Sequence, residues 1–470
     1  MKTGTLNSKE INVSMRIDGS FHLSDGVMLE RAIVNHSHKP LIDFCSSIFT
    51  SGRNKRVYTK KEYGYPYLSN SDVVAQNPFD SCNHNSRKYG HDESAFLKEG
   101  MVLTGRVGAI GQTAYVTKEF EEKGAMGSDN IIRIVANPSE YSGYIYSFLS
   151  SRVGNTLLWK LAAGGVQPYI TDKMVANIPV PIFSESKQQE IHNLIVESAN
   201  FRVEANQLLD KAKSKLLSYA ELPQLTANDY DYFGARSEER TVSCFSKSIK
   251  KIDSTTINAF NHSFRIEKTK QQIRKCCQTI PLEEVLNDKK IFSTGSFPRV
   301  EVNSENGIML INQKDIFDTI IKGKRISRRK VKTDSLVEYG EVLIAGVGTL
   351  GENETFCRAI FANEDLQDQL VSGEFIRMKT NEKYLSGYLF AWLNSDYGFR
   401  LIRNTQTGTK LCRPIPRLFL QIPVPVLKEA QMIEIDQIIK KAHTLYHLAN
   451  LKENQAISLV EKEIESWQQS

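Results

Sequence analysis

Asn177 to Ile195 reads NIPVPIFSESKQQEIHNLI; Gln421 to Ile439, 244 residues further on, reads QIPVPVLKEAQMIEIDQII. Eight of the nineteen positions are identical. Each stretch begins with a turn into Ile-Pro-Val-Pro. Alternate prolines force an extended backbone and remove ladder donors, which predicts a rigid strap or edge strand. A long helix is expected after each strap. In the first, Ile191, Leu194, Ile195, Ala205, Leu208, Leu209, Ala212 and Leu216 make one apolar stripe. In the second, Ile435, Ile438, Ile439, Ala442, Leu445, Ala449, Val460, Ile464 and Trp467 do the same. Ser186 to Gln189 offers a capping box for the first helix, and the second shows no comparable cap. Helices of ~35 residues reach ~50 Å. Their narrow stripes predict a mutual, antiparallel coiled-coil pairing that holds globular parts at opposite ends.

The duplication extends outward from the straps. SGYIYSFLSSRVG (Ser142 to Gly154) matches SGYLFAWLNSDYG (Ser386 to Gly398), again 244 residues apart. Both read as amphipathic helices. GMVLTGRVGAIG (Gly100 to Gly111) matches GEVLIAGVGTLG (Gly340 to Gly351), and GYPYLSNSD (Gly64 to Asp72) matches GIMLINQKD (Gly307 to Asp315). IFTSGRNKRV (Ile48 to Val57) matches IFSTGSFPRV (Ile291 to Val300) at five of ten positions. The blocks keep their order, so the chain is two copies of one β-rich plan.

Gly346, Gly348 and Gly351 spell G-x-G-x-x-G, the dinucleotide fingerprint. The first of these glycines aligns with Arg106, however, and only Val-Gly-x-x-Gly is shared (Val107 to Gly111, Val347 to Gly351). A cofactor loop needs a helix directly after it. Here GQTAYV and GENETFCRAIF follow, which predict a glycine turn inside a hairpin. NPFD (Asn77 to Asp80) resembles an amino-methyltransferase motif but lacks its second proline, and a turn is the better reading. No nucleophile arrangement, metal-ligand spacing or paired carboxylate stands out. No cofactor, metal or catalytic residue is expected.

The chain has 470 residues, 40% hydrophobic and 24% charged, with a net charge of +6. This is mildly basic, permitting nucleic-acid binding without requiring it. No apolar run approaches the ~18 residues of a membrane span, and no secretory signal is visible. Seven scattered cysteines without Cys-x-x-Cys suit a reducing cytoplasm.

The plan resembles the DNA specificity subunit of type I restriction–modification systems, over nearly the whole chain. The resemblance rests on ordered positions. In copy one these are Gly100, Val107, Gly108 and Gly111, then Gly164–Gly165 with Gln167, then Ile178 to Pro181 with Gln189 and Ile191. Copy two offers Gly340, Gly348, Gly351, Gly408, Ile422 to Pro425 and Ile435. It implies an α+β fold: two β-rich target recognition domains separated by two long antiparallel helices packed as a coiled coil, with an internal pseudo-two-fold repeat. The expected boundaries are 1–183 and 256–427 for the recognition domains, 184–222 and 428–470 for the helices, and 223–255 for a polar connector. It also implies a non-catalytic subunit that reads a bipartite, asymmetric site on double-stranded DNA, in the service of phage defence. DNA adenine methyltransferase subunits would dock on the helices and bring the methyl donor, with a motor-nuclease restriction subunit able to join. Half-sites near one helical turn apart, ~34 Å, are a geometric expectation.

DNA contacts call for Lys and Arg on phosphates and for side chains that reach base edges. Arg53, Lys55 and Arg56 sit on a glycine loop, with Arg299 as the copy-two equivalent of Arg56. Lys324, Arg325, Arg328, Arg329 and Lys330 lie in KGKRISRRKVK (Lys322 to Lys332), a run without a visible counterpart in copy one. Arg106, Gln167, Lys410 and Arg413 occupy loops near the predicted domain face. KLCRPIP (Lys410 to Pro416) departs from GVQPYITD of copy one. The competing readings are a solvated charged turn for the first group and a solvated strand edge for the basic run. Tyr144, Phe148, Phe390 and Trp392 read as core. Two other classes compete: an enzyme that modifies DNA alone, and a scaffold of a related defence complex that has lost base reading.

Overall fold

The computed structural model describes residues 3–6, 8, 11, 16–53, 55–89, 92–225, 246–252, 255–303 and 307–467. Of the expected connector 223–255, residues 226–245, 253 and 254 lie outside the described residues. The chain divides into two compact units, Met1–Val203 with Leu448–Ser470, and Glu204–His447.

In the first unit, helix α1 (Gly26–Val34) leads to β1 (His38–Pro40) and β2 (Cys45–Thr50). Strands β3 (Gly64–Leu68), β4 (Asn83–Ser86), β5 (Val102–Gly105), β6 (Thr113–Tyr115), β7 (Met126–Gly127) and β8 (Ile131–Ala136) follow. They form an antiparallel sheet in the order β2-β8-β5-β6 and a mixed sheet in the order β4-β3-β7. Strands β5 and β6 are the expected glycine-turn hairpin. The inner strands β5 and β8 of the first sheet are buried on both faces. Val102, Ile132 and Ile134 pack toward the helices, while Leu103 and Ile131 pack with Leu68, Leu97 and Phe120. This is the period-2 alternation of a strand with apolar neighbours on each side.

Helices α2 (Ser142–Ser150) and α3 (Arg152–Leu161) come next, then the strap β9 (Pro179–Pro181), then the long helix α4 (Glu185–Tyr219). The strap pairs antiparallel with β1 alone, as an edge strand rich in proline must. Helix α2 is not amphipathic in place: every residue from Ser142 to Leu149 is buried. It packs against both the sheet and α4, so two faces of the helix need cover.

The second unit repeats this order. Helix α5 (Phe264–Cys276) leads to β10 (Thr279–Pro281), β11 (Gly307–Ile311), β12 (Gly323–Ser327), β13 (Val342–Ala345), β14 (Ala359–Phe361), β15 (Leu370–Val371) and β16 (Phe375–Met378). The sheets run β14-β13-β16 and β12-β11-β15. Where copy one adds β2, copy two makes two isolated bridges, Leu286 to Thr380 and Phe292 to Arg377. Helices α6 (Ser386–Leu393) and α7 (Asp396–Asn404) precede the small hairpin β17 (Gln406–Thr407) and β18 (Arg413–Pro414). The second strap, β19 (Pro423–Pro425), pairs with β10 and leads into α8 (Glu429–Ser466).

The helix starts differ from the sequence expectation. In α4 the cap is Ser184: its carbonyl accepts from Gln188 N at 3.0 Å and its hydroxyl accepts from Lys187 N at 3.4 Å. The expected Ser186 already lies inside the helix. In α8, Gln431 Oε1 accepts from Lys428 N at 3.2 Å, half of a capping box in which lysine replaces the usual hydroxyl residue.

The two long helices pair antiparallel inside each unit, as the stripes predict. In unit one, Lys187 pairs with Glu463, Ser198 Oγ donates to Ala449 O at 2.8 Å, and Arg202 meets Glu453. In unit two, Tyr446 donates to Asn206, and Lys215 pairs with Glu434 at 2.8 Å. The stripe residues Ile191, Leu194, Ile195, Val460 and Ile464 belong to the core of unit one, joined by Ala456. Ala212, Leu216, Ile435 and Ile439 belong to that of unit two.

One joint ties helix, strap and long helix in each copy. Tyr144 Oη donates to Pro181 O at 2.6 Å, and Tyr388 Oη donates to Pro425 O at 2.6 Å. Gly143 N donates to His192 Nδ1 at 3.2 Å, and Gly387 N donates to Asp436 Oδ1 at 2.8 Å. A Cβ on Gly143 would stand 2.7 Å from His192 Cα, and one on Gly387 would stand 3.0 Å from Asp436 Cα. The Ser-Gly-Tyr repeat therefore encodes a close helix crossing and a strap anchor. Gly387→Ala should destabilise unit two by about 1–3 kcal/mol through overpacking, and Tyr388→Phe by about 0.5–1.5 kcal/mol through removal of the hydrogen bond; urea unfolding measures both.

His443 lies fully inside unit two, flanked by the rings of Phe361, Phe390 and Tyr446. Its Nε2 has no hydrogen-bond partner. Burial pushes its pKa from 6.5 down to about 3. The folded state thus refuses a proton that the unfolded chain accepts. The stabilisation is complete above pH 6.5 and is lost as pH falls toward 3. One such proton contributes a slope of up to about 1.4 kcal/mol per pH unit. Acid unfolding in that window should be steeper for the native chain than for His443→Phe.

Candidate nucleic-acid interface

The loop after β2 carries Arg53, Lys55 and Arg56, all exposed. A second segment, the turn between β7 and β8, places Asp129 against it. Arg56 Nη2 donates to Asp129 Oδ1 at 2.6 Å, and Arg53 Nε stands 3.7 Å from Asp129 Oδ2. The carboxylate hydrogen bond raises the Arg56 pKa further, so that side chain stays charged. Arg56 also lies over the ring of Tyr67, 5.7 Å from its centroid.

Arg106 arrives from a third segment, just after β5. Its N donates to Asn130 O at 2.8 Å and its Nη1 to Asp129 O at 3.5 Å. The tight turn behind it requires Gly105, where a Cβ would meet Ala109 O at 2.2 Å. Gln167 comes from a fourth segment. It is exposed in the loop closed by the Ala163–Tyr169 bridge, and that loop docks on the glycine turn through Gly108 N to Pro168 O, 3.1 Å. Sequence positions 53, 56, 106 and 167 are thus brought to one face of unit one.

In unit two, Arg299 is exposed on the loop equivalent to that of Arg56, and its guanidinium stands 6.0 Å from the Phe297 ring centroid. The basic run forms β12, an edge strand, followed by a 3-10 turn at Arg328–Lys330. Lys324 pairs with Glu301 at 2.5 Å, and Arg325 Nη1 donates to Gly307 O at 3.1 Å. These two have the partners of a solvated strand edge. Arg328 and Arg329 are exposed beyond the strand end; the Lys330 side chain lies outside the described residues.

The basic run does have a counterpart in copy one. Gly307 pairs with Ser327 across β11–β12, and Gly64 pairs with Ser86 across β3–β4. Ser327-Arg328-Arg329 therefore corresponds to Ser86-Arg87-Lys88. In each copy the serine amide donates to the loop residue after the arginine: Ser86 N to Val57 O and Ser327 N to Val300 O, both 2.8 Å. This bond sets Arg87 and Lys88 beside the Arg56 loop, and Arg328 and Arg329 beside Arg299. Both copy-one residues are exposed, and Arg87 stacks over Tyr65 at 5.5 Å. The only sequence signal for them is a Ser-Arg-basic triplet.

The KLCRPIP departure keeps the geometry of copy one. Cys412 N donates to Gly348 O at 2.8 Å and Gly348 N to Cys412 O at 3.2 Å, docking β17–β18 on the second glycine turn. Lys410 and Arg413 are exposed on this hairpin. Gly164 (φ +93) and Gly408 (φ +97) hold the same left-handed position. The second glycine turn is followed by strand β14, not by a helix, which removes the dinucleotide reading.

Among the described residues, no group of three His, Cys, Asp or Glu is placed to hold a metal, and no helix is long and apolar enough to cross a membrane.

No family model matches the chain, and no curated protein matches it. Solved structures do. The chain is similar to S subunits of type I restriction–modification systems. One, from M. genitalium, is 13% identical, covers 92% of this chain and 92% of its own, and has a TM-score of 0.34. The HsdS subunit of Thermoanaerobacter tengcongensis is 15% identical, covers 90% and 95%, and has a TM-score of 0.25. A chain from a type I system studied for its assembly and conformational transition is 16% identical, covers 91% and 97%, and has a TM-score of 0.27.

A Cβ at Gly408 would stand 2.8 Å from Leu411 O, in a backbone region that L-residues avoid. Gly408→Ala should cost about 1–3 kcal/mol locally. Hydrogen exchange at the Cys412 and Gly348 amides should quicken by about tenfold or more, while the β13–β16 amides keep their protection.

Proposed function

We propose that the chain is the non-catalytic DNA-recognition subunit of a type I restriction–modification complex. The observation that carries this reading is the repeated Ser-to-Val backbone bond. It seats a basic pair beside a loop arginine in both units, Arg56 in one and Arg299 in the other, on a shared frame with different side chains. Lys and Arg so placed supply sequence-independent phosphate affinity, and unlike residues on like frames supply two different readings. Residues 1–183 and 256–427 act as the two target recognition domains of a bipartite, asymmetric site on double-stranded DNA. Arg53, Lys55, Arg56, Arg106, Gln167, Arg299, Arg328, Arg329, Lys410 and Arg413 face the duplex, joined by Arg87 and Lys88. The paired helices 184–222 and 428–470 space these domains and dock DNA adenine methyltransferase subunits, which bring the methyl donor. A motor-nuclease subunit completes the restriction assembly in the cytoplasm.

Co-expression with the neighbouring methyltransferase, followed by mapping of methylated adenines in genomic DNA, tests the reading. One bipartite motif is expected. Methylation without a motif, or a stable complex that methylates nothing, would favour a scaffold that does not read bases. Methyl-donor binding by the isolated chain would favour an enzyme. Arg328→Ala with Arg329→Ala should weaken binding to all duplexes alike and flatten the salt dependence by about 0.9 for each phosphate no longer neutralised.

A further inference from the structure

The two units treat one equivalent arginine differently. Arg56 and Arg299 occupy matching loop positions, each one residue before the valine that accepts the serine amide. Arg56 is restrained on two sides, by Asp129 at 2.6 Å and by the Tyr67 ring at 5.7 Å. The Asp129 side chain is only 12% exposed, against 44% for Arg56, so the carboxylate lies behind and the guanidinium in front.

The turn that carries Asp129 is itself fixed. Ser128 N donates to Leu68 O at 2.9 Å, and the fully buried Arg133 donates to Gly127 O at 2.6 Å and Ser128 O at 3.4 Å. In unit two the matching turn runs Ser372-Gly373-Glu374, with Ser372 N on Ile311 O and Gly346 N on Glu374 O. Gly373 stands where Asp129 does, and Arg299 has no ion pair among the described residues.

The chemistry of DNA reading separates these two arrangements. Bidentate recognition of guanine O6 and N7 needs a guanidinium fork held in orientation by a supporting shell. A phosphate contact needs only a reachable cation. Asp129 and the Tyr67 hydroxyl engage the inner side of the Arg56 fork, and the remaining donors are available to a base edge. A carboxylate at this distance also opposes a nearby phosphate, so it is badly placed beside a backbone contact.

On the DNA-recognition reading above, we infer that Arg56 reads a guanine in one half-site with Asp129 as its positioning residue, whereas Arg299 contacts phosphate in the other half. The two recognition units then use one inherited position for two kinds of contact, set by an acid in one copy and a glycine in the other.

The test uses the full chain with its methyltransferase and a randomised duplex pool. The motif enriched by the native complex defines single-base variants for affinity measurements. Arg56→Lys and Asp129→Asn should each lose about tenfold or more of the discrimination at one G·C pair of one half-site. The other half-site should be unaffected. Affinity of Asp129→Asn for non-cognate duplex should hold or rise, because a negative charge has been removed. A merely structural role would instead lower affinity for every duplex. Arg299→Ala should weaken all duplexes by a common factor and reduce the salt slope by about 0.9, with the motif unchanged. Undiminished discrimination in both Arg56→Lys and Asp129→Asn, or a base preference abolished in Arg299→Ala, would overturn the inference. A native complex that enriches no motif would overturn the recognition reading itself, an outcome visible before any variant is made.

Discussion

The tyrosine-to-proline hydrogen bond at the strap fixes the frame of each unit. Tyr144 and Tyr388 reach across from buried helices to carbonyls that a proline-rich strand exposes. The strap has only one strand neighbour, so its unpaired side needs such a partner. The glycine one residue earlier then lets the same helix sit almost on the backbone of the long helix. Strap direction, helix crossing and the start of the long helix are set together by three adjacent residues. This explains why Ser-Gly-Tyr and Ile-Pro-Val-Pro recur as a set: removing either would leave the other without its partner.

With the frame fixed at one end of the sheet, the loops at the other end can change without disturbing it. The frame hands each unit the same backbone bonds: serine amide to valine carbonyl, glycine-turn amide to hairpin carbonyl, and arginine or glycine amide to the residue after the β7–β8 or β15–β16 turn. None of these bonds depends on side-chain identity. Arg106 can therefore become Gly346, and Gln167 can become Leu411, at no cost to the fold. On the DNA-recognition reading proposed above, affinity rests on the cations that both frames present and selectivity on what each loop adds.

Much of the frame was legible because it is periodic and duplicated. The helix stripes, the prolines of the straps and the glycine hairpins each follow from a local rule, and the second copy removed the dinucleotide reading by placing Arg106 against Gly346. Helix ends were less legible: Ser184, not Ser186, caps the first helix, and Gln431 caps the second by the half of a capping box that no hydroxyl residue announces. Arg87 and Lys88 were hidden because what they share with Arg328 and Arg329 is a strand register and a backbone bond. Asp129 was hidden for a different reason. Its partner Arg56 lies 73 residues away, and its equivalent in the other copy is a glycine, so neither spacing nor repetition marks it.

The buried arginines show the same division of labour from inside the sheet. Arg133 and Arg377 hold equivalent sheet positions, opposite Leu103 and Leu343, and both are almost fully buried. A buried cation must be paired or well hydrogen-bonded. Arg377 meets Glu341 at 2.8 Å through two donors and adds the carbonyls of Ser335 and Leu336 at 2.8 and 2.6 Å. Copy one has Met101 where copy two has Glu341, so Arg133 turns to four backbone carbonyls, those of Ala95, Gly127, Ser128 and Ile131. Burial without a carboxylate pushes its pKa down to about 10, still charged at neutral pH. Three of those carbonyls, those of Gly127, Ser128 and Ile131, border the turn of Asp129. The missing acid in the core of copy one thus stiffens the turn that carries an acid at its surface. In copy two the acid sits in the core and the surface turn is glycine. A single exchange of where the carboxylate resides changes which carbonyls the buried arginine holds, those of the Asp129 turn in copy one and those of Ser335 and Leu336 in copy two.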